Sequence, residues 1–433
     1  MENSADGPKS EQPFAGVTVV EFGQFVAVPF CAQLLADGGA HVIKVEPHEG
    51  DPTRHLAPLA PHETRHFVSR NRGKHCIPLD LRHRLAPKVI EALVARADVV
   101  LLNLRPGLGT ELGLDFATLS KRYPRLITGN VTGFGREGPD AGLAGMDLVV
   151  QARSGLMASG GKLSDGLPAA GDSPIADFMA AVLLSFGIAS ALFRREQTGH
   201  GGEVDVSLLG AAMVLQNTIF TRVAFADAAN DTALRDWLAH ARAEGMPFAD
   251  QMARSPGVRP SYMSSVYYRT FQTKDSAIAI ACASPGLQRR FLSTTGIEDA
   301  AQGGRITDRA ELARHYAALQ PVAEARMAER TTAEWKVAFD AAGIPASPVL
   351  LPVELLEDEQ VRANGYLHRV DHPVLGPVTM LGIPLRLDEG GFVPGHITAA
   401  FGSESRVILE EIGFSRDEIE ATIREAAVLD NSA

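Results

Sequence analysis

The chain has only three cysteines in 433 residues, Cys31, Cys76 and Cys282, and they lie far apart. None belongs to a CxxC pair or stands at zinc-ligand spacing from a histidine, so neither a disulfide framework nor a structural zinc site is predicted. Basic residues are also in deficit, with 41 Lys and Arg against 52 Asp and Glu and a formal net charge of −11. A phosphate backbone demands concentrated positive charge, so we expect no nucleic-acid partner.

Long hydrophobic runs are scarce as well. The most apolar stretch, residues 178–193, is shorter than the roughly 20 residues that a membrane span needs, and Ser185 and Gly187 interrupt it. The N-terminal segment MENSADGPKSEQPFAG is polar and acidic and lacks the basic and apolar regions of a secretory signal. We therefore predict a disordered leader over residues 1–15, a buried core helix at 178–193, and a cytoplasmic protein with no membrane partner.

Several catalytic and nucleotide-binding motifs are missing. No GxSxG elbow or HExxH zinc motif occurs, and the segment GLMASGGKL lacks the glycine register of a P-loop. Residues 133–138 form a GxGxxG pattern, but it follows the fifth predicted strand and Pro139-Asp140 comes next, whereas the Rossmann fingerprint opens a helix after the first strand. This context favours a flexible loop. A nucleotide-binding oxidoreductase stays as an alternative that NAD(P) binding would support.

The residues that are present are those of an ordinary globular protein, 45% hydrophobic and 21% charged, and the length suggests two or three domains. From residue 16 to about 131, short β-branched runs alternate with segments of helical periodicity. The predicted strands cover residues 17–22, 41–45, 75–79, 99–103 and 126–131. This pattern predicts a doubly wound, Rossmann-like parallel α/β domain with its ligand at the carboxyl ends of the strands.

The rest of the chain suggests a second domain and a return to the first. A long helix is predicted from Ser173-Pro174, which suit an N-cap and first turn, to about Glu196, with Gly199 at its end and another strand after it. Residues 222–260 are predicted to be irregular, and a hairpin is predicted around residues 273–275. We assign residues 16–224 to the large domain, 225–330 to a smaller α+β domain, and 331–433 to a segment that returns to the large domain.

A series of motifs extends over nearly the whole chain in a characteristic order. Their sequences are GVTVVEFGQFVAVPFCAQLLADGGAHVIKVEP, GDPTR, NRGKHCIPLDL, ADVVLLNLRPG, GMDLVVQARSGLM, AAGDSPIADF, TGHGGEVDVSLLGA and AAGIPASPVLLPVELLEDEQVRANGYL. In this order and spacing they resemble the family III CoA-transferases of the CaiB/BaiF type, which include formyl-CoA transferase, carnitine CoA-transferase and, as a divergent branch, α-methylacyl-CoA racemase.

The resemblance implies a reaction and a site. It implies transfer of CoA from an acyl-CoA thioester to a small carboxylic acid, with the aspartate of the GD step, Asp172, as the nucleophile and with no tightly bound cofactor or metal. Capping of the following helix is the alternative role for Asp172. The resemblance also implies an interlocked homodimer. It places the CoA contacts at Val26, Ala27, Leu79, Asp80, Leu81, Arg82, Asn103, Leu104, Arg105, Ala144, Gly145 and Met146, with Arg72 and Lys74 as further basic candidates.

Departures from the family pattern bear on the substrate. Formyl-CoA transferase has glutamine, lysine and tyrosine where this chain has Val26, Ala144 and Met146, which argues against oxalate and formyl-CoA as the substrate pair. The racemase branch has histidine at the position of Met146, and a thioether cannot exchange a proton. A 2-methylacyl-CoA racemase is therefore the nearest alternative but is disfavoured. A CoA-binding protein without turnover is a further alternative.

Overall fold

The structure, a computed structural model, describes residues 12–254, 265–388 and 391–432, without the side chain of Arg309. The chain divides into two compact units, one built from residues 1–255 and 364–433 and the other from residues 256–363. We call them the large unit and the small unit. The large unit is thus discontinuous in sequence.

The helices and strands follow in chain order. The strands are β1 Thr18–Phe22, β2 His41–Glu46, β3 Lys74–Pro78, β4 Val99–Leu102, β5 Ile127–Thr132, β6 Leu163–Ser164, β7 Leu167–Pro168, β8 Gly202–Ser207, β9 Tyr268–Gln272, β10 Ala277–Ala281, β11 Ala346–Pro348, β12 Leu367–His372 and β13 Gly376–Leu381. The helices are α1 Ala27–Asp37, α2 Arg65–Asn71, α3 Ala86–Val94, α4 Leu108–Glu111, α5 Phe116–Arg122, α6 Asp147–Arg153, α7 Leu156–Ser159, α8 Ile175–Thr198, α9 Leu208–Val214, α10 Asn217–Phe220, α11 Ala224–Ala243, α12 Phe248–Arg254, α13 Pro285–Thr295, α14 Arg309–Met327, α15 Thr332–Ala341, α16 Glu359–Ala363, α17 Ser405–Glu411 and α18 Arg416–Arg424. Short 3-10 helices lie at Pro52–His55 and Glu354–Leu356.

The large unit is organised around a six-stranded parallel sheet in the order β3-β2-β1-β4-β5-β8. The chain leaves β1 in one direction toward β2 and β3 and later returns to the other side of β1 with β4 and β5. The predicted parallel α/β fold is confirmed. The reversal of strand order between β1 and β4 creates a crevice at their carboxyl ends, where doubly wound folds bind ligands.

Both faces of this sheet are covered, because neighbouring residues of a strand point to opposite sides. On β1, Val19 packs in one apolar cluster with α1 and α8, whereas Val20 packs in another with α3, α17 and α18. Strands that are buried on both faces have nearly continuous apolar sequences, and for this reason they could be predicted from the sequence.

Helix α8 is the longest of the described helices, and by length and composition alone it is apolar enough to cross a membrane. Core helices of soluble proteins pass the same test. Ala180, Leu184 and Ile188 of α8 belong to the apolar cluster on the sheet. The predicted cap is wrong: α8 begins at Ile175, and Pro174 at the N-cap position makes no side-chain capping bond. Gly199 ends α8 in the left-handed conformation, as predicted.

The small unit contains the antiparallel hairpin of β9 and β10, as predicted, with β11 as a third strand. Its core contains Phe271, Phe291, Trp335 and Phe339. Because Trp335 and Phe339 of α15 belong to this core, the small unit extends to residue 363 rather than to the predicted 330. It begins at residue 256 rather than 225.

Two further predictions concern residues 222–260 and the N-terminal leader. The stretch predicted to be irregular contains α11, an alanine-rich helix in which Ala241 is the buried residue, so that prediction is wrong. Of the predicted leader, residues 1–11 lie outside the described residues. Phe14 packs against the large-unit core, and its backbone N–H donates to the Gly38 carbonyl at 2.8 Å.

Candidate active site

A cavity of about 600 Å³ opens at the carboxyl ends of β1, β4 and β5, within the volume range of small-molecule sites. It lies where the strand order reverses, so the position is the one that the fold rule predicts. Its lining residues come from the segments 24–27, 102–110, 115–116, 128–136 and 141–147, together with Asp177, Glu203 and Leu208.

The turn from β1 to α1 forms one wall of the cavity. The Asn103 side chain joins this turn to the end of β4, because its Oδ1 accepts from the Gln24 N–H at 2.9 Å and its Nδ2 donates to the Gln24 carbonyl at 2.8 Å. The next residue, Phe25, has a φ of 66°, which is unusual for a side chain of this size. Such backbone strain persists where surrounding contacts hold it, and it is commonly found at functional sites.

A second wall is formed by the loop after β5 and the segment before α6. These backbones touch at Gly133 and Gly145: a Cβ on Gly145 would lie 2.3 Å from the Gly133 Cα, so only glycine fits there. No helix begins in the GxGxxG segment, residues 133–138, all of which are described. The Rossmann fingerprint is therefore not formed, although Gly133 and Gly135 do line the cavity.

Two carboxylates meet at the floor of the cavity, Asp147 at the start of α6 and Asp177 in the first turn of α8. The Asp147 Oδ1 accepts hydrogen bonds from the backbone N–H groups of Ala176 at 2.8 Å and Asp177 at 3.2 Å. Asp147 thus caps α8 from another helix. Burial, and then the negative charge of Asp147, raise the pKa of Asp177 to about 7, and Arg70 opposes this shift.

The cationic groups that line the cavity are paired with acidic neighbours. Arg105 donates to Glu111 at 2.9 Å in an exposed pair, and Arg136 lies 2.8 Å from Asp205 and also pairs with Glu203. Surface pairs of this kind contribute little stability, so an anionic ligand can replace the carboxylate partner at low cost. Phosphate groups are the ligands that arginine binds well through paired N–H donors.

Many of the predicted CoA-contact residues come together in this cavity: Ala27, Asn103, Leu104, Arg105, Ala144, Gly145 and Met146 line it. The others do not. Val26 is buried in the core, and the segment of Leu79, Asp80, Leu81 and Arg82 lies outside the lining. That segment pairs with the C-terminal part of the chain, where the Asp80 N–H donates to the Ala427 carbonyl at 2.9 Å.

Asp172 is exposed, precedes α8, and does not belong to the residues that line the cavity. Asp177, which the sequence reasoning passed over, does line it. One signal was available: from residue 175 to residue 193 of this apolar helix, Asp177 is the one charged residue. A carboxylate inside an otherwise apolar helix is unusual, and packing alone does not explain it.

Arg72 and Lys74, the two further basic residues that the sequence offered as CoA contacts, are buried in the core beneath the turn from β1 to α1. The guanidinium of Arg72 bonds both oxygens of Asp37, and Lys74 lies 2.7 Å from Glu21. Lys44 completes this buried network: its Nζ lies 2.9 Å from Glu21, 2.9 Å from Asp51 and 2.6 Å from the Gly23 carbonyl. Arg72 and Lys74 are thus both paired internally.

Comparisons with known proteins identify the family of the chain. The family model described as CoA-transferase family III matches residues 14–395. Cinnamoyl-CoA:phenyllactate CoA-transferase of Clostridium sporogenes is 29% identical over 94% of this chain and 95% of its own length. Acetyl-CoA:oxalate CoA-transferase of Acetobacter aceti is 31% identical, over 88% and 90%. The crystal structure of a CAIB/BAIF family protein from Brucella suis aligns with a TM-score of 0.71 and 28% identity, over 93% of this chain and 100% of that one.

Proposed function

The chain belongs to CoA-transferase family III, and we propose that it moves coenzyme A from an acyl-CoA thioester to a free carboxylic acid through a covalent intermediate on Asp177. The observation that carries this proposal is the placement of Asp177. Its carboxylate lines the same cavity as the predicted CoA contacts Asn103 and Arg105. The family resemblance implies Asp172, just before α8, as the nucleophile, and the variants below decide between the two aspartates.

The proposed path exchanges one thioester for another. An Asp177 oxygen attacks the thioester carbonyl, the C–S bond breaks, and CoA leaves as the thiolate with a mixed anhydride left on the enzyme. The thiolate then attacks the Asp177 carbonyl carbon, which releases the donor acid and forms an aspartyl-CoA thioester. The acceptor carboxylate repeats both steps in reverse order. Its attack forms a second anhydride, and the returning thiolate takes up the acceptor acyl group and frees Asp177.

Two features of the site support this chemistry. Burial and the charge of Asp147 raise the pKa of Asp177 to about 7, so its ionised form is a better nucleophile than an ordinary carboxylate. The N-terminus of α8 supplies a positive dipole beside the reacting group. Asp147 already occupies the N–H groups of Ala176 and Asp177, so the site fixes the backbone of Asp177 before the substrate binds.

The test is to trap the intermediate. Incubation with an acyl-CoA and hydroxylamine, or reduction with borohydride, should modify Asp177. No Lys or Arg occurs from residue 163 to residue 193, so Asp172 and Asp177 fall in one tryptic peptide. Fragment ions that break between residues 173 and 176 distinguish the two sites. Modification at Asp172 would overturn the assignment, and transfer without any trapped aspartate would overturn the covalent mechanism.

Matched variants provide the control. Asp177→Asn should lower the transfer rate by at least 10³-fold with the fold retained, because an amide cannot form the anhydride. Asp172→Asn should transfer at close to the wild-type rate. The opposite pattern would return the nucleophile to Asp172.

Screening has to identify the acids, since the relatives named above act on substrates as different as phenyllactate and oxalate. A panel of acyl-CoA donors should be incubated with a panel of carboxylates, and new thioesters should be detected by mass spectrometry. At least one pair should give a new acyl-CoA that is absent with Asp177→Asn. A panel in which no pair does so would count against CoA transfer.

We further propose that the chain forms a homodimer. One face of α8 exposes Val182, Phe186 and Phe193, at 50%, 73% and 69% of their surface, and their spacing places them in line. Exposed aromatic side chains in a row are typical of an interface. Light scattering should give twice the chain mass of 46.2 kDa. Phe186→Ser with Phe193→Ser should weaken the dimer, and a monomeric wild-type protein would contradict this proposal.

A further inference from the structure

Three histidine rings lie in a row at the end of the large-unit sheet that is formed by β2 and β3. The centre of the His75 ring on β3 lies 5.0 Å from that of His41 on β2 and 4.9 Å from that of His396, which follows β13 in the chain. Positive charges this close repel each other, so a proton on one ring opposes the protonation of the next. The row therefore responds to pH as a unit.

Two carboxylates at the ends of α17 pair with this row. The Glu411 Oε1 lies 2.8 Å from the His41 Nε2, and the Glu404 Oε1 lies 2.7 Å from the His75 Nδ1. Glu404 is the N-cap residue of α17 and Glu411 is its last residue, so a histidine holds each end of the helix. All four side chains are partly exposed, so they exchange protons with the solvent.

Glu404 makes a second contact with the sheet. Its Oε2 accepts from the backbone N–H of Cys76 on β3 at 3.0 Å. Strand β3 forms one edge of the sheet, and an uncovered edge can pair with another chain. Glu404 thus fastens α17 to the edge strand through a backbone group and also through His75, a side chain whose charge depends on pH.

The balance of charge at this contact changes with pH. Two protonated histidines match the two carboxylates, whereas a third proton, on His396, leaves the row with an excess positive charge. Arg406, the arginine of α17, pairs with Glu420 and Asp430 instead, at 2.6 Å each. Hydrogen bonds between ionised partners are roughly twice as strong as neutral ones, so the contact is strongest with two protons bound.

From this arrangement we infer that the three histidines and the two glutamates form a pH-sensitive clasp. It holds α17 on the edge of the sheet tightly in mildly acidic solution and more loosely in alkaline solution. The clasp consists of His41, His75, His396, Glu404 and Glu411. None of these residues lines the cavity, and the inference does not depend on the proposed function.

The direction of the effect follows from the His75 pair. The hydrogen bond to Glu404 raises the pKa of His75 above its ordinary value of 6.5, and burial opposes this shift. Stability that depends on such a group is complete below the ordinary pKa and is lost as the pH rises through the higher, folded value. Burial opposes the ionisation of Glu404, but the bond from His75 outweighs it and lowers the pKa below 4.5, so the carboxylate stays charged over this range.

Hydrogen exchange read by mass spectrometry tests the clasp in the full chain. The measured quantity is the protection of the backbone N–H groups of residues 404–411, which is the exchange rate of the unfolded chain divided by that of the protein at the same pH. Protection should be about 10-fold greater at about pH 6.5 than at about pH 8.5, the effect of making one hydrogen bond charge-assisted. Residues 268–281 of the small unit are the internal control, and their protection should not change.

A double variant, His41→Gln with His75→Asn, should lose this pH dependence. Each amide places an N–H donor near the nitrogen that it replaces, the Nε2 of His41 and the Nδ1 of His75, but it takes up no proton. The protection of residues 404–411 should then stay near the alkaline wild-type level at both pH values. His200→Gln, at an exposed histidine before β8, is the matched control and should behave as wild type.

Wild-type protection that is constant, or that rises with pH, would overturn the inference, and this measurement needs no variant to fold. The same pH dependence in wild type and in the double variant would also overturn it. Below about pH 5 the wild-type protection should fall again as the third histidine takes up a proton. His396→Gln should remove this fall, and a fall that persists in that variant would exclude His396 from the clasp.

Discussion

Asp147 caps the helix that carries Asp177: its Oδ1 accepts from the Ala176 and Asp177 N–H groups at 2.8 and 3.2 Å. The same contact brings a second negative charge close to the Asp177 carboxylate. The start of α8 and the proposed reactivity of Asp177 are thus coupled, because the residue that fixes the start of α8 also helps to raise the pKa of Asp177. Three predictions follow from this pair.

The transfer rate should depend on the charge of Asp177. Burial and the charge of Asp147 raise its pKa to about 7, and only the ionised carboxylate attacks a thioester. The value of kcat/KM should therefore rise with pH through about 7 and level off above it. The measurement is a profile of kcat/KM for the acyl-CoA, at limiting acyl-CoA and a fixed concentration of the acceptor acid, from about pH 5.5 to 8.5. A rate that is flat over this range would contradict the role of Asp177.

Asp147→Asn should move the acidic limb of that profile to lower pH. An asparagine oxygen can still cap α8, so the helix start is retained, while the charge that opposes ionisation of Asp177 is lost. Asp140→Asn is the control, since Asp140 pairs with Arg153 at the surface. The profile of this control should match wild type. A shift of the Asp147→Asn limb to higher pH would show that capping outweighs charge at this position.

Asp177→Asn should make the protein more stable at neutral pH. The carboxyl pKa rises from 3.8 when unfolded to about 7 when folded, so the native state resists losing the proton. The stability of wild type that depends on this group therefore falls as the pH rises through that window and is constant above it. The advantage of Asp177→Asn should grow by on the order of 2 kcal/mol between about pH 5 and pH 8.

Urea unfolding at several pH values in this range measures that advantage. Asp172→Asn is the matched control, because Asp172 is exposed, and its stability should follow wild type at every pH. An advantage of Asp177→Asn that shrinks as the pH rises would mean that the carboxylate is stabilised in the folded protein.

The sequence allowed the sheet and the position of the cavity to be predicted because both depend on local pattern. Strands such as β4 are apolar throughout, and the turn after β1 and the Asn103 segment after β4 had to meet once the strands were parallel. Helix α11 was missed because it is alanine-rich and largely exposed, so no apolar stripe revealed it. Such a helix forms because alanine has a high helix propensity, and its sequence needs no periodic pattern of apolar residues.

The place of Asp177 at the cavity was harder to predict, since it depends on where α8 begins. The sequence pattern put a cap at Ser173-Pro174, whereas Asp172 as the nucleophile was implied by the family resemblance. The cap that the fold uses is Asp147, 29 residues before Ala176, and this contact exists only after α6 and α8 pack together.

The two arginines predicted to bind CoA should differ in their effects. Arg105 lines the cavity and is held by an exposed pair with Glu111, whereas Arg82 is exposed outside it. Arg105→Ala should weaken CoA binding about 10-fold, the effect of one charge-assisted phosphate contact, and Arg82→Ala should leave it unchanged. Titration calorimetry with CoA measures both.

Glu111→Gln provides the reciprocal test, because it frees Arg105 from its competing partner. CoA affinity should then rise, most clearly at low salt, where exposed charges are least screened. Weaker CoA binding by Glu111→Gln would mean that the pair positions Arg105, and a loss in Arg82→Ala would return that segment to the CoA site.

Lys44 should be essential to the stability of the large unit. Its ammonium compensates Glu21 and Asp51, and all three side chains are fully buried. Lys44→Met would leave Asp51 without a cationic partner among the described residues and Glu21 with Lys74 alone. The loss in free energy of unfolding should be about 3–5 kcal/mol. Lys88→Met, which breaks the exposed pair with Glu418, is the control and should change stability very little. Equal losses in the two variants would mean that the buried Lys44 contributes no more to stability than an exposed ion pair does.

The consequence should reach the cavity, because Lys44 also donates to the Gly23 carbonyl at 2.6 Å, directly before the strained turn of Gln24 and Phe25. Without that bond the turn can relax toward an ordinary backbone conformation. Lys44→Met at a temperature where it remains folded should therefore bind CoA more weakly than Lys88→Met. Unchanged CoA affinity would show that Asn103 alone holds the turn in place.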